Sequence, residues 1–356
     1  MEYTEPKNGN HLTGTDVFLR KAFFFFKPVF PRPFQIYLRR RYVSNRRNIY
    51  SDVWPIDRKA NIPPPGWRGW PEGKQFALVL THDVESEKGQ EKCRFLSDLE
   101  EKHGFRSLFN FVAEQYKVDR QYHSYLRQKG FEIGLHGITH KGNPFRSRKV
   151  FDEQAGRINR YLKEWNVSGF RCPSMYHNLE WIGELDVEYD LSTFDTDPFE
   201  PQPDGMRTIF PFWVPAQSGK KGYVELPYTI PQDHAIFVLQ KEENIHIWKN
   251  KLDWIAEHGG MALLNTHPDY MNFNGGNPKL DEYPVRFYEE FLGYLLDRYR
   301  GRYWHVVPGD MARFWRENYA KPEIPISVSR QSDVLPNHRD PKFETRSNAP
   351  DFVAEA

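Results

Sequence analysis

From Phe76 to Thr81 the chain reads Phe-Ala-Leu-Val-Leu-Thr, a continuous apolar run. Such a run predicts a strand buried on both faces. A charged stretch from Glu87 to His103 predicts a helix, and Gly104 supplies its stop. Ser107–Val112 is the next predicted strand, Tyr122–Lys129 a helix closed by Gly130, and Phe131–Leu135 a third strand. Phe151, Ala155, Ile158, Leu162 and Trp165 step by four, three, four and three, which puts them on one helical face. Val167–Phe170 is a short strand running into Arg171. Later strands are predicted at Tyr223–Leu226, Met261–Asn265 and Tyr303–Val307, with a helix over Pro284–Tyr299. Buried strands alternating with helices imply an α/β fold on a parallel sheet, open or closed. No repeat of fixed period is present.

The flanks differ. Residues 1–75 are rich in Arg, Pro and aromatics, with basic clusters at Arg39, Arg40, Arg41 and at Arg46, Arg47. This N-terminal extension reads either as a wrap that packs its aromatics on the domain or as an adaptor for an anionic partner, a phospholipid surface or a phosphate-bearing substrate. Asn61-Ile62-Pro63-Pro64-Pro65-Gly66-Trp67 is a stiff connector. Residues 321–356 are polar, proline-bearing and aperiodic, an arm or a disordered tail. That leaves 76–320 as the central domain.

Composition narrows the class. A chain of 356 residues can bury a sizeable core. Its net charge of +1 gives no argument for nucleic-acid binding. Cys93 and Cys172 have no metal-site or redox spacing, which points to a reducing compartment. The N-terminus shows no signal-peptide pattern, and the run Ala22–Phe26 is too short to span a bilayer, so a cytoplasmic location is expected.

Candidate chemistry sits where the buried strands end. They run into Thr81-His82-Asp83-Val84-Glu85, His136-Gly137-Ile138-Thr139-His140, Gly169-Phe170-Arg171-Cys172-Pro173 and Asn265-Thr266-His267-Pro268-Asp269. The C-terminal edge of a parallel sheet or barrel is where sites are built. His136 and His140 are four apart, which on a helical turn places both imidazoles on one face of a divalent-metal site. Asp83 and Glu85 are two apart, so an extended chain points both to one side. Two such carboxylates repel unless a cation or proton lies between them. One then binds the metal and the other takes a proton from water. The bland alternative is a helix N-cap by Asp83 or Ser86. Two histidines, one carboxylate and open positions make a catalytic site rather than a structural one.

At these residues the sequence resembles the polysaccharide deacetylases, carbohydrate esterase family 4, also called the NodB-homology domain. The resemblance covers roughly residues 75–310. It rests on Thr81-His82-Asp83-Val84-Glu85, His136-x-x-x-His140, Arg171-Cys172-Pro173 and Leu264-Asn265-Thr266-His267, in that order. It implies a distorted (β/α) barrel, seven-stranded and TIM-like. It also implies one divalent metal ion, usually zinc, and a water that attacks an acetamide carbonyl. By position, Asp83 matches the general base, His136 and His140 the metal ligands, His267 the general acid, and Arg171 the residue that holds the base ionised. An acidic residue among Asp190, Asp195 and Asp197 is expected to orient His267. Val84 stands where the family carries its metal-binding Asp. The Asp-x-Glu form resembles a branch in which the second acid is the ligand, which assigns the metal contact to Glu85, with Asp83 as the other candidate.

The expected activity is therefore metal-dependent N-deacetylation of a sugar, glycan or glycan precursor. Hydrolysis of a small cyclic or linear amide is the alternative, and a catalytically silent glycan- or metal-binding domain the third reading. Trp181, Trp213 and Tyr228 are expected either to stack on sugar rings or to pack in the core. His82 and Cys172 are expected as buried packing residues, and Asp233-His234 as a loop pair without an assigned role.

Overall fold

The computed structural model describes residues 31–215 and 221–319. The expected tail at 321–356 and the first thirty residues of the extension lie outside them. The central strand, β1 (Phe76–Val84), is buried at every position. It is the predicted apolar run carried three residues further, through His82, Asp83 and Val84. To one side it pairs in parallel with β2 (Leu108–Phe111), which pairs with β3 (Glu132–Leu135). β4 (Gly169–Phe170) and β5 (Tyr189–Asp190) follow, then β7 (Tyr223–Glu225) with β6 (Phe212–Val214) antiparallel on its edge. β8 (Met261–Thr266) lies along β1 from Ala77 to His82.

The sheet curls until its ends meet. Phe194 bridges Tyr228 and Ile230 bridges Leu264, which carries β5 and the extended β7 segment round to β8. β1, β2, β3, β4, β5, β7 and β8 are the seven staves of a distorted (β/α) barrel. A short parallel pair follows, β9 (Met271–Asn272) with β10 (Tyr283–Pro284), and β11 (Tyr303–His305) adds to the start of β1.

Helices cover the outside. α1 (Arg32–Arg46) belongs to the N-terminal extension. α2 (Glu87–Lys102) is capped by Ser86, whose side chain accepts from the Gly89 N–H. Asp83 therefore plays no capping role, and the cap frees it for the barrel interior. α3 (Arg120–Gln128) is capped by Asp119. α4 (Arg148–Trp165) buries Phe151, Ile158, Leu162 and Trp165, four of the five positions on its predicted stripe. A four-residue turn, α5 (Leu179–Ile182), follows. α6 (His246–Glu257), α7 (Arg286–Tyr299) and α8 (Pro308–Tyr319) complete the layer. α6 and α8 carry no clear helical pattern in the sequence. The buried face of α6 runs through Trp248, Lys251, Leu252 and Ile255, and Lys251 is a residue that binary patterning assigns to solvent. α8 opens on Pro308-Gly309, a dipeptide that reads as a turn.

Residues 31–75 pack on this barrel. Ile36 and Val43 of α1, then Trp54, Ala60 and Trp70, are buried. Trp67 meets Trp70 edge-on at 4.7 Å and also contacts Phe210, Trp315 and Tyr319. Burial of an apolar side chain such as Ile36 or Val43 stabilises by about 1.5–3 kcal/mol. No helix of the described residues is long and apolar enough to cross a membrane.

Candidate metal centre

The barrel register decides which side chains meet. In the β1–β2 ladder Asp83 stands opposite Asn110, and in the β1–β8 ladder Thr81 stands opposite Asn265. Both amides turn onto Asp83. Asn110 donates to Oδ1 at 3.0 Å and Asn265 to Oδ2 at 2.8 Å. Arg171, fully buried just past β4, donates from Nη1 to the same Oδ1 at 3.0 Å. Its Nη1 also reaches Asn265 at 2.6 Å and Thr81 at 3.0 Å, and its Nε donates to the Leu191 carbonyl. Burial alone raises the Asp83 carboxyl; Arg171, then His136 and His267, pull it well below the ordinary range. Asp83 is a buried, ionised acceptor.

His136 and His140 converge by a route other than the expected helical turn. Residues 136–140 are irregular, and Gly137 adopts φ +67°. A Cβ there would lie 2.7 Å from Pro173 of the Arg-Cys-Pro motif, so only glycine lets the two loops touch. The imidazole rings end 5.4 Å apart. The irregular backbone lies against the Arg171 loop, whose carbonyl orients His136. His136 Nδ1 donates to that carbonyl at 3.1 Å, which leaves the lone pair on Nε2. Nε2 is buried and has no partner among the described residues. Burial lowers His136 to about 4, so the ring is neutral at physiological pH.

Glu85 closes the group. Its Oε1 lies 2.8 Å from His140 Nε2 and 3.8 Å from His267 Nε2. Its Oε2 accepts from the Tyr270 hydroxyl at 2.6 Å, and its backbone N–H donates to Asp269 at 3.0 Å. Gln115 ties the two loops together, accepting from the His140 N–H and donating to the Glu85 carbonyl, each at 2.8 Å. Burial raises Glu85, but His140, His267 and the Tyr270 hydroxyl together hold the carboxyl well below its ordinary value.

Among the described residues, Glu85, His136 and His140 are the group able to hold a metal ion, their donor atoms all within 4.8 Å of one another. The fit is chemical as well as spatial. There is one ionised carboxylate, one neutral imidazole with an orphaned, buried nitrogen, and a second imidazole beside them. These are the N and O donors that a catalytic divalent site uses.

His267 follows β8 on the same edge. Its Nε2 stands 3.9 Å from Asp83 Oδ2. Its Nδ1 donates to Asp233 Oδ1 at 2.6 Å, and its backbone N–H donates to Asp233 Oδ2 at 2.8 Å. Tyr283 also donates to Asp233 Oδ2 at 3.0 Å. Burial alone lowers His267; Asp233, then Glu85 and Asp83, raise it to about 10. It is an imidazolium at neutral pH.

The carboxylate expected behind His267 is thus corrected. Asp190 accepts from the Ser192 N–H and hydroxyl, Asp195 pairs with Lys251, and Asp197 accepts from Phe199 and Tyr228. None reaches His267. Asp233 takes that place from a π-helical turn (His234–Leu239) that it caps. Its contact with His267 spans 34 positions of sequence, and the one local signal is an acid shortly after Pro231. Asn110, Tyr270 and Gln115 also escape the sequence reading, because their roles exist only across neighbouring strands and loops.

Other expectations resolve by burial. His82 points away from Asp83 and bonds Thr266 at 2.7 Å and Glu100 at 2.9 Å, a packed histidine. Cys172 is buried, and burial pushes its thiol up. Tyr228 is buried, with its hydroxyl on Asp197 and Glu200, so it packs rather than presenting a ring face. Trp181 packs half-buried on Phe151 under the Arg148 guanidinium, and Trp213 is half-buried on β6.

No family model and no curated protein matches the sequence. Solved structures do match in three dimensions. A protein from Mycobacterium smegmatis described as a polysaccharide deacetylase superposes with a TM-score of 0.56 at 17% identity, over 73% of this chain and 97% of that one. The Puue allantoinase gives 0.57 at 16% identity, over 76% and 100%. A Pseudomonas aeruginosa PAO1 protein, also described as a polysaccharide deacetylase, gives 0.54 at 18% identity, over 76% and 99%. The chain has the polysaccharide deacetylase fold, and its histidine, carboxylate and arginine motifs meet at one edge of that barrel.

Proposed function

We propose that this protein is a metal-dependent hydrolase that removes an acyl group from an amide nitrogen, with an N-acetylated sugar or glycan as its substrate. The observation that carries the proposal is the meeting of Glu85, His136 and His140 within 4.8 Å, beside ionised Asp83 and cationic His267. Glu85, His136 and His140 hold the cation. When bound, the cation supplies Lewis acidity toward an amide oxygen and lowers the pKa of water from about 15.7 to about 7.

The protein's own residues supply the proton transfers. Asp83 accepts a proton from the attacking water at Oδ2, the oxygen that faces the site, while Arg171 and Asn110 hold Oδ1. The water oxygen bonds to the carbonyl carbon. His267 Nε2 then donates its proton to the amide nitrogen as the C–N bond breaks, and the products are a carboxylate and an amine. Asp233 keeps the His267 ring oriented and charged before it gives up that proton. A positioned acid or base of this kind contributes about 100- to 10,000-fold.

A second reading, hydrolysis of a small linear or cyclic amide, draws support from the similarity in fold to an allantoinase. One experiment tests both. The purified chain is analysed for bound metal and assayed for carboxylate release from N-acetylated sugars and for ring opening of allantoin. One equivalent of divalent metal and acetate release from a sugar are expected, and His136→Ala loses both. A folded wild-type protein that takes up no divalent metal would sink the hydrolase proposal.

A further inference from the structure

A second feature lies on α1, in the extension that precedes the barrel. The helix has two faces. Ile36 and Val43 point inward and are buried. Along the flank of the helix an open cavity of about 480 Å³ lies between α1, the end of the 234–239 turn and Leu280. Tyr37, Arg40, Arg41, Gln240, Lys241 and Leu280 line it. Arg40 anchors the helix, donating to the Val238 carbonyl at 2.8 Å and the Leu280 carbonyl at 2.7 Å. Both ends of the Gln240 side-chain amide are buried without a partner among the described residues.

The chemistry of this surface is mixed in a specific way. Phe34, Tyr37 and Leu280 are 43%, 53% and 46% exposed, three of the six large exposed hydrophobics among the described residues. Phe34 stacks on Tyr37 with ring centroids 6.4 Å apart. Arg41 and Lys241 are exposed and make no ion pair among the described residues. Glu242 neutralises Arg47, and Asp281 stands within electrostatic reach of Arg40. The net charge of the face is positive. The sequence just before Pro31 continues the theme, reading Lys-Ala-Phe-Phe-Phe-Phe-Lys from Lys21 to Lys27.

We propose that the outer face of α1, with the cavity beneath it, docks this protein on a membrane surface bearing anionic lipid headgroups. The cavity takes a lipid phosphate, with Arg41 and Lys241 supplying charge and the Gln240 amide a hydrogen bond. Phe34, Tyr37 and Leu280 enter the headgroup layer, where amphipathic rings and exposed cations are both favoured. A soluble polyanion would use the cations but gain nothing from three exposed apolar side chains beside them.

Sedimentation of the full chain with vesicles tests the proposal. Vesicles of phosphatidylcholine with phosphatidylglycerol are expected to bind it, and pure phosphatidylcholine vesicles are not. High salt releases it, because exposed charges are screened. Each cation removed weakens partitioning about five-fold, so the Arg41→Gln/Lys241→Gln pair costs about 25-fold. Tyr37→Ala weakens binding further without touching the charge. All three positions are exposed, and an unchanged thermal transition checks that the variants fold. Equal binding to both vesicle types, absence of binding, or wild-type binding by the charge pair overturns the proposal. So does saturable binding of inorganic phosphate that Arg41→Gln/Lys241→Gln abolishes in a chain that ignores vesicles, since that marks a soluble-anion site.

Discussion

Two pairs of acids end strands of this barrel, all buried except the half-buried Glu85, and they behave in opposite ways. Asp83 and Glu85 leave β1. Asp190 and Glu225 face each other across the β5–β7 ladder, in register. Arg171, His136, His140 and His267 surround the first pair, and both of its carboxyls lie well below their ordinary values. The second pair has Ser192 and Thr193 as hydrogen-bond donors and, among the described residues, no cation in contact. Burial, then the Asp190 charge, drives Glu225 well above its ordinary value, and burial raises Asp190 too. The second pair therefore keeps a proton. Burial of two carboxylates does not by itself make a reactive site; what separates the pairs is a guanidinium and three imidazoles.

The largest expected effect comes from breaking the first pair. Asp83→Asn should lower turnover about 100- to 10,000-fold while bound metal, read by elemental analysis, is retained. Glu225→Gln copies the protonated state already present and should leave turnover unchanged. If the two variants lose activity alike, the contrast between the pairs is wrong.

Arg171→Met comes next. It strands a buried, ionised Asp83 and should cost about 3–5 kcal/mol, read by denaturant unfolding, along with activity. Restoring neutrality with Arg171→Met/Asp83→Asn should recover much of the stability and none of the rate.

Tyr270→Phe sharpens the role of Glu85. Tyr270 occupies Oε2 and leaves Oε1 to face the imidazoles. Its loss should weaken metal affinity about 10- to 100-fold, measured by titrating the metal-free protein. Unchanged affinity would remove Tyr270 from the site.

The smallest effect is in stability against pH, and the two pairs pull it in opposite directions. Asp83 is depressed below 3.8, so its contribution is present above that pH and is lost as pH falls. Glu225 is raised above 4.5, so its contribution is present below that pH and is lost as pH rises toward the folded value. Each slope is at most about 1.4 kcal/mol per pH unit. Thermal unfolding of Glu225→Gln should show a shallower alkaline-side decline, since Asp190 and Glu200 are also raised, and an unchanged acid-side one.

The chain order of residues settles a good part of this protein without any structure. The apolar run at Phe76 specifies a buried strand wherever it lies, because a two-sided buried strand needs no pattern beyond continuity. The Phe151–Trp165 stripe specifies a helix face. The four strand-end motifs place every ionisable group of the expected site on one edge, since parallel strands share a direction. What only the tertiary structure decided is which groups touch. Asp233 rather than Asp190, Asp195 or Asp197 backs His267, because a π-helical turn and β8 meet 34 positions apart. His136 and His140 converge through a glycine-led loop rather than a helical turn, and Asn110 and Asn265 reach Asp83 by strand register. Periodicity records which way a side chain faces relative to its own backbone; partners across strands depend on curvature and register, which local sequence does not carry.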